Sequence, residues 1–254
     1  MQTVMYTDTI FGPIHSRRLG SSLGVNLMPR DGKICSFDCL YCEAGFNAQG
    51  PGKSGLPSRD DVRRLLGERL TELSTTGQPV DNITFSGNGE PTLHPDFAGV
   101  IDDVLALRDR YYPAAGVSVL SNSTMLHRRE VVEALRRVDH PILKLDSAVA
   151  ATVATLDRPA PGYDLERVIG ELHDFGPSAV VQTMITRGEG VDNTTDAEVE
   201  ALIDAYRRIA PGSVMLYTID RPTPDTTLRR VDHDTLASIA TRITAATGIP
   251  VSVY

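Results

Sequence analysis

The sequence predicts an α/β fold built on a mainly parallel sheet, and three observations carry that prediction. Short apolar runs alternate with segments of helical periodicity six times in succession, which is the pattern of consecutive βα units. The runs are nearly continuous in their apolar and β-branched residues, as expected for strands buried on both faces. Polar residues stand where the runs end, and parallel sheets place their sites at that edge.

The predicted elements follow one another with few residues between them. The strands are predicted at 23–28, 82–86, 117–121, 142–145, 179–185 and 214–219, and the helices between them at 58–75, 94–110, 127–138, 163–174 and 194–210. Ser58, followed by Asp60 and Asp61, marks the start of the first helix, because anions suit the N-terminal end of the dipole. Thr194 or Thr195 could cap the fifth. A helix near 232–247 and a strand at 251–253 follow.

Composition excludes several classes of protein. The 254 residues are 41% apolar and 23% charged, which is ordinary for a globular protein. No run approaches the roughly 18–20 apolar residues needed to span a bilayer, and the first residues lack the apolar core of a signal peptide. We therefore expect a cytoplasmic protein. The formal net charge of −8 disfavours broad binding to nucleic acid, which needs a basic surface.

All three cysteines lie in one short segment, Cys35-Ser-Phe-Asp-Cys39-Leu-Tyr-Cys42, after the first predicted strand. An odd number packed this tightly indicates a metal site in a reducing compartment rather than disulfides. A closed iron–sulfur cubane uses four thiolates, so three would leave one iron open to a ligand. One alternative is zinc held with His15 or His94, although the paired CxxC knuckles typical of structural zinc are missing. Three buried, unliganded thiols are another.

The CxxxCxxC spacing, with an aromatic residue before the last cysteine, resembles the signature of the radical S-adenosylmethionine (SAM) superfamily. A second segment, Ser86-Gly87-Asn88-Gly89-Glu90-Pro91, follows the second predicted strand and is similar to the Gly-Gly-Glu motif of that family, with Asn88 inserted. Residues 12–42 also look like a branch of short proteins related to the core of wyosine-type tRNA base synthases.

The resemblance extends over roughly residues 10–225 and favours a barrel over an open sheet. Composition alone allows an open doubly wound sheet or a full or partial TIM-type barrel. The family implies a partial (β/α)6 barrel, which we expect to form a single domain over residues 1–254, with a C-terminal helix and strand at about 231–254.

The resemblance also implies an activity. One [4Fe–4S] cluster would sit on Cys35, Cys39 and Cys42, with SAM on the open iron. In the family, one electron, delivered by a donor such as flavodoxin or ferredoxin, cleaves SAM to methionine and a 5′-deoxyadenosyl radical, which abstracts hydrogen from a substrate. The substrate cannot be read from the sequence. With no fourth cysteine, further cysteine-ligated clusters are excluded.

Positions that match the family's SAM contacts lie in the cysteine loop or on the strands and the turns that follow them. They are Tyr41, Gly87, Asn88, Gly89, Glu90, Asn122, Asp146, Gln182 and Thr183. Glu90 could accept hydrogen bonds from the SAM ammonium or simply shape a turn. Asn122 and Asp146 could bind the ribose hydroxyls or cap helices. Gln182 and Thr183 are adjacent on one strand, so at most one faces the barrel interior.

Four basic residues are predicted near the barrel mouth: Arg17, Arg18, Lys144 and Arg221. Converging cations are costly without anions, and Asp146 and Asp220 could neutralise two of them. The remainder predicts a substrate with a carboxylate or a phosphate. The alternatives are that the two N-terminal arginines lie on the outer surface, and that the other two residues form ordinary ion pairs.

Two other functions fit the same features. An enzyme that activates a glycyl radical on a partner protein would have this size and one three-cysteine cluster. A non-catalytic iron–sulfur or zinc protein that binds a partner is the second. Cleavage of SAM by the reduced protein would separate both enzymes, the radical SAM enzyme and the activating enzyme, from the non-catalytic protein.

Overall fold

The computed structural model describes residues 4–254, and its centre is an eight-stranded sheet. The strands in chain order are β1 (Ile10–Ser16), β2 (Gly20–Val25), β3 (Asn82–Phe85), β4 (Gly116–Ser121), β5 (His140–Lys144), β6 (Val180–Met184), β7 (Thr186–Gly188), β8 (Val191–Asp192), β9 (Ser213–Tyr217), β10 (Arg229–Arg230) and β11 (Val251–Val253). The large sheet has the order β1-β2-β3-β4-β5-β6-β9-β11. All neighbours in it are parallel except β1 and β2.

Within the described residues, seven α-helices connect or follow these strands. They are α1 (Arg59–Thr75), α2 (Phe97–Tyr111), α3 (Arg129–Leu135), α4 (Ala150–Leu156), α5 (Leu165–Phe175), α6 (Asp196–Ile209) and α7 (His233–Thr247). Each of the parallel strands β2, β3, β4, β5, β6 and β9 is followed by at least one helix. The order β2-β3-β4-β5-β6-β9 never reverses, as in a barrel and unlike a doubly wound sheet. Since β1 and β11 remain as two edges, the six βα units form a partial barrel, as predicted.

The two faces of the sheet differ in chemistry, and the difference defines the site. Leu23 and Ile83 point towards the helices and belong to the main apolar core with Leu66 and Leu70 of α1. Their neighbours along each strand point the other way, because side chains alternate. On this inner face Ser22 hydrogen-bonds Thr84 across two strands at 2.7 Å. The interior of the partial barrel is therefore polar.

The sequence located the six core strands to within a few residues. The first strand begins at Gly20 and ends at Val25, earlier than the predicted 23–28. The cap assignments hold, since the Ser58 hydroxyl accepts the Asp61 N–H and Thr195 caps α6. Helices α2 and α3 are shorter than predicted at their N-terminal ends.

Three elements were not predicted from the sequence. Strand β1 pairs antiparallel with β2 at the sheet edge, where a strand containing Pro13 is tolerated. Helix α4 is only seven residues long and has no side-chain cap. The small sheet β10-β7-β8 has strands of two or three residues, too short for a periodic signal. Within residues 4–254, no helix is both long and apolar enough to cross a membrane.

Candidate active site

The cysteine loop follows β2 and is fastened to two other parts of the chain. Ile34 forms a bridge with Gly89, with one backbone bond to the Asn88 carbonyl and one from the Glu90 N–H. On the other side, the N–H groups of Asp38 and Leu40 donate to carbonyls at the C-terminal end of α4. These backbone bonds hold the loop in place independently of any metal.

Donors approach the sulfur atoms of this loop, as they do around iron–sulfur ligands. The Phe37 N–H lies 3.5 Å and the Asn122 amide 3.6 Å from the Sγ of Cys35, and the Lys144 ammonium lies 3.0 Å from the Sγ of Cys39. All three cysteines are free of disulfides. Burial raises the pKa of the Cys35 thiol to about 11, so cluster assembly has to displace its proton.

The zinc alternative finds no support in this geometry. Within the described residues, no three side chains of His, Cys, Asp or Glu gather around one point as ligands of a single ion would. A cubane spreads its three thiolates over different irons and needs no such convergence. Both ring nitrogens of His94 are engaged, one by the Pro57 carbonyl and one by the Asp96 N–H. The donor set therefore fits a [4Fe–4S] cluster better than zinc.

The glycine turn after β3 requires its two glycines. Gly87 and Gly89 have φ angles of 139° and 147°, which side-chain-bearing residues rarely adopt. A Cβ on Gly89 would lie 1.8 Å from the Ile34 carbonyl oxygen, so the cysteine loop can approach only a glycine. The inserted Asn88 is fully buried, and its side-chain amide bonds the Tyr6 backbone and the Pro29 carbonyl. Asn88 thus anchors the N-terminal segment.

Glu90 is 2% exposed, and four protein donors bind its carboxylate. Oε1 accepts the N–H and hydroxyl of Thr92 at 3.0 and 2.5 Å and the Ser121 hydroxyl at 3.0 Å; Oε2 accepts the Asn122 N–H at 2.6 Å. Burial raises the pKa of Glu90 although these bonds oppose the shift. Three of the four donors crowd Oε1, and Oε2 accepts only one, so Oε2 keeps a lone pair that could accept from a SAM ammonium.

Asn122 joins the end of β4 to the cysteine loop. Its amide nitrogen donates to the Ser36 hydroxyl at 2.8 Å, and its oxygen accepts from the N–H and hydroxyl of Thr124. It does not cap a helix, because α3 begins only after Arg128. Asp146 is no helix cap either, since Val149 occupies that position before α4. Their predicted contacts with the ribose stay predictions.

Lys144 is the centre of a buried charged cluster. Its ammonium lies 2.7 Å from Asp157 and 3.0 Å from Asp146, and it also contacts the Tyr41 hydroxyl. Tyr41 in turn donates to Asp146. Burial raises the pKa of Asp157 to about 8 against the opposing charge of Lys144. The alternative of a structural ion pair for Lys144 is thus the one observed, and it includes a carboxylate, Asp157, that sequence reasoning missed.

Gln182 and Thr183 point in opposite directions, as the alternation of a strand requires. The Thr183 hydroxyl lies 2.7 Å from the Leu145 carbonyl and 2.6 Å from the Tyr206 hydroxyl on α6. It therefore faces the helices, and this placement gives no support to its predicted role in cofactor binding. Gln182 lies on the inner face beside Lys144, with which it pairs in register.

The remaining basic residues divide into two kinds. Arg17 pairs with Asp220 at 3.4 Å and Arg221 with Glu43 at 2.7 Å, and all four side chains are about half exposed. Both arginines thus form surface ion pairs. Arg18 instead reaches across to β9, where its guanidinium carbon lies 5.0 Å from the centre of the Tyr217 ring.

Comparison with known proteins gives a consistent family. The protein-family model described as the radical SAM superfamily matches residues 31–206. A UPF0026 protein of Synechocystis is 30% identical over 95% of this chain and 94% of its own length. A protein of Brachyspira hyodysenteriae named GTPase Obg is 29% identical over 85% of this chain, which spans only 31% of that protein.

Solved structures share the fold at low sequence identity. A radical SAM methyltransferase from Sphaerobacter thermophilus has a TM-score of 0.68 at 18% identity, covering 92% of this chain and 65% of its own. Streptococcus suis SuiB bound to S-adenosylmethionine has a TM-score of 0.59 at 14% identity, covering 91% and 46%. These identities support a common fold and carry no information about the substrate.

Proposed function

The chain belongs to the radical SAM superfamily, whose members use a [4Fe–4S] cluster and SAM, and we propose that it is an enzyme that abstracts hydrogen from a substrate of its own. The cluster and SAM, when bound, supply a 5′-deoxyadenosyl radical, formed together with methionine by one electron from a donor such as flavodoxin or ferredoxin. The observation that carries the proposal is the cysteine loop after β2, which holds three free thiols, two of them beside hydrogen-bond donors.

The protein residues have separate tasks in this proposal. Cys35, Cys39 and Cys42 hold the cluster. The Gly87–Glu90 turn supports the loop that carries them and would hold the methionyl end of SAM. Tyr41 and Asp146, which hydrogen-bond each other on the inner side, would hold the adenosine. The buried walls of the partial barrel keep water from the reactive carbon, which suits a radical step.

Anaerobic reconstitution tests the proposal directly. Reconstituted protein should carry about four irons and four sulfides per chain, as a cubane requires. Under reduction it should convert SAM to 5′-deoxyadenosine and methionine. Alanine at Cys35, Cys39 or Cys42 should abolish both properties, whereas alanine at the exposed Ser252 of β11 should preserve them.

Two results would refute the assignment. One is a single tightly bound zinc with no sulfide after anaerobic purification. The other is substantial SAM cleavage by a Cys39→Ala protein without added thiol, because the loop has no spare cysteine to replace the lost ligand.

A further inference from the structure

Unlike the other basic residues predicted near the barrel mouth, Arg18 has no carboxylate partner in the described part of the chain. Among residues 4–254, no carboxylate lies within 4.0 Å of its guanidinium, whereas Arg17, Lys144 and Arg221 each have one. Its Nη1 is buried and has no hydrogen-bond partner in the described chain. A buried N–H left unpaired is destabilising, and more so when it is charged, so this arrangement calls for an acceptor.

The side chain of Gln182 likewise has a buried donor without a partner in the described chain. The residue is 8% exposed, and its Nε2 is buried without a partner in the part of the chain described. Gln182 pairs in register with Met215, and Tyr217 follows two residues later on the same face of β9. Diagonal neighbours on adjacent strands are within reach of long side chains. Gln182 and Tyr217 therefore share one face of neighbouring strands, and the Arg18 guanidinium lies over the Tyr217 ring on that face.

The electrostatics of Tyr217 agree with this placement. Burial and the charge of Asp146 raise the pKa of the Tyr217 hydroxyl, and Lys144 and Arg18 both oppose the rise. Both cations therefore lie close to this hydroxyl on the inner side of the sheet. Lys144 already pairs with two carboxylates, Asp146 and Asp157, so of these two cations only Arg18 lacks a carboxylate partner within residues 4–254.

We propose that Arg18 and Gln182 bind an oxyanion of the substrate, a carboxylate or a phosphate, inside the partial barrel. The inference rests on the proposed function, because it assumes that the interior receives the substrate. The guanidinium offers planar paired donors that match either oxyanion, and the Tyr217 ring beneath it fixes its orientation. Gln182 adds a neutral donor, which strengthens selection of an acceptor without adding charge.

Calorimetry with two simple probes tests the site. Inorganic phosphate and acetate are titrated at constant ionic strength into reconstituted protein that holds SAM. The wild type should bind at least one of them, and the tighter of the two identifies the substrate group. Arg18→Gln should weaken that binding about tenfold or more, whereas the matched Arg17→Gln, which loses only a surface pair, should leave it unchanged.

Gln182→Leu supplies a second, independent readout. Leucine removes the unpaired buried amide, so the variant should melt at a higher temperature than the wild type and yet bind the probe several-fold more weakly. A purely structural glutamine would not combine these two changes. Unchanged probe affinity in Gln182→Leu would overturn its part in the site.

The remaining outcomes separate this inference from the proposed function. If the wild type cleaves SAM and binds neither probe, or if Arg17→Gln weakens binding as much as Arg18→Gln, the oxyanion site is refuted and the function stands. If Arg18→Gln loses SAM binding, Arg18 serves the SAM carboxylate and the inference fails. If the wild type cannot cleave SAM at all, both fail together.

Discussion

Replacement of Glu90 by glutamine separates two roles for this residue. In the structure each carboxylate oxygen accepts one backbone N–H, from Thr92 on Oε1 and from Asn122 on Oε2. Glutamine keeps one acceptor oxygen and turns the other into an amide donor. Whichever way the amide is oriented, one of the two backbone N–H groups then faces another donor and loses its partner.

The size of the effect follows from that count. A buried N–H without a partner costs about 1–3 kcal/mol. Loss of the negative charge adds little, because burial already raises the pKa of Glu90 and thus disfavours the ionised form. With a loss near 2 kcal/mol, a chain of this size should melt roughly 4–8 °C lower.

The assay is a melting curve of the cluster-free protein, so that neither iron nor SAM contributes. Glu72→Gln is the matched control, since Glu72 is exposed on α1 and its one ion pair within residues 4–254 is with Arg69. It should shift stability by no more than about 0.5 kcal/mol. Calorimetry on reconstituted Glu90→Gln then measures SAM: a several-fold loss of affinity with normal iron content indicates contact with the ammonium. A melting temperature within about 1 °C of the wild type would refute the structural reasoning.

Two further substitutions probe the cluster's surroundings. Lys144→Met should lower the cluster's reduction potential, because it removes a positive charge 3.0 Å from the Cys39 sulfur. Lys144→Arg keeps the charge and should restore much of the potential. An unchanged potential of Lys144→Met in an EPR-monitored titration would contradict the contact. Gly89→Ala should lower the iron content after reconstitution, since its Cβ would collide with the Ile34 carbonyl. The control Gly170→Ala, in open space on α5, should retain iron and raise the free energy of unfolding by about 0.5–1 kcal/mol. Full iron loading of Gly89→Ala would show that the loop tolerates the displacement.

The sequence predicted best those features whose cause is local. The six parallel strands are buried on both faces and punctuated by turn formers, so their positions follow from composition alone. The cysteine loop and the glycine turn carry their signals within a few residues. Strand β1 had no such signal, because Gly12 and Pro13 interrupt it and its partner β2 supplies the order.

Contacts between distant segments could not be predicted. Asp157 ends α4, a helix with no cap, and only the packing of that helix beside the cysteine loop brings its carboxylate to Lys144. Arg17 and Arg18 are adjacent in sequence and identical in chemistry. The turn between β1 and β2 decides which of them forms a surface pair and which reaches Tyr217.

The contacts around the cysteine loop form a closed circuit, and this explains why the motif residues have so many protein partners. Ile34 is clamped to the glycine turn, Glu90 in that turn binds the Asn122 N–H at the end of β4, and the Asn122 side chain returns to Ser36 and the Cys35 sulfur. Disturbing any member of the circuit moves the loop. Residues that the family resemblance assigns to SAM therefore also determine the position of the cluster. A loss of activity in a variant of such a residue identifies a SAM contact only when iron content and stability are measured on the same variant.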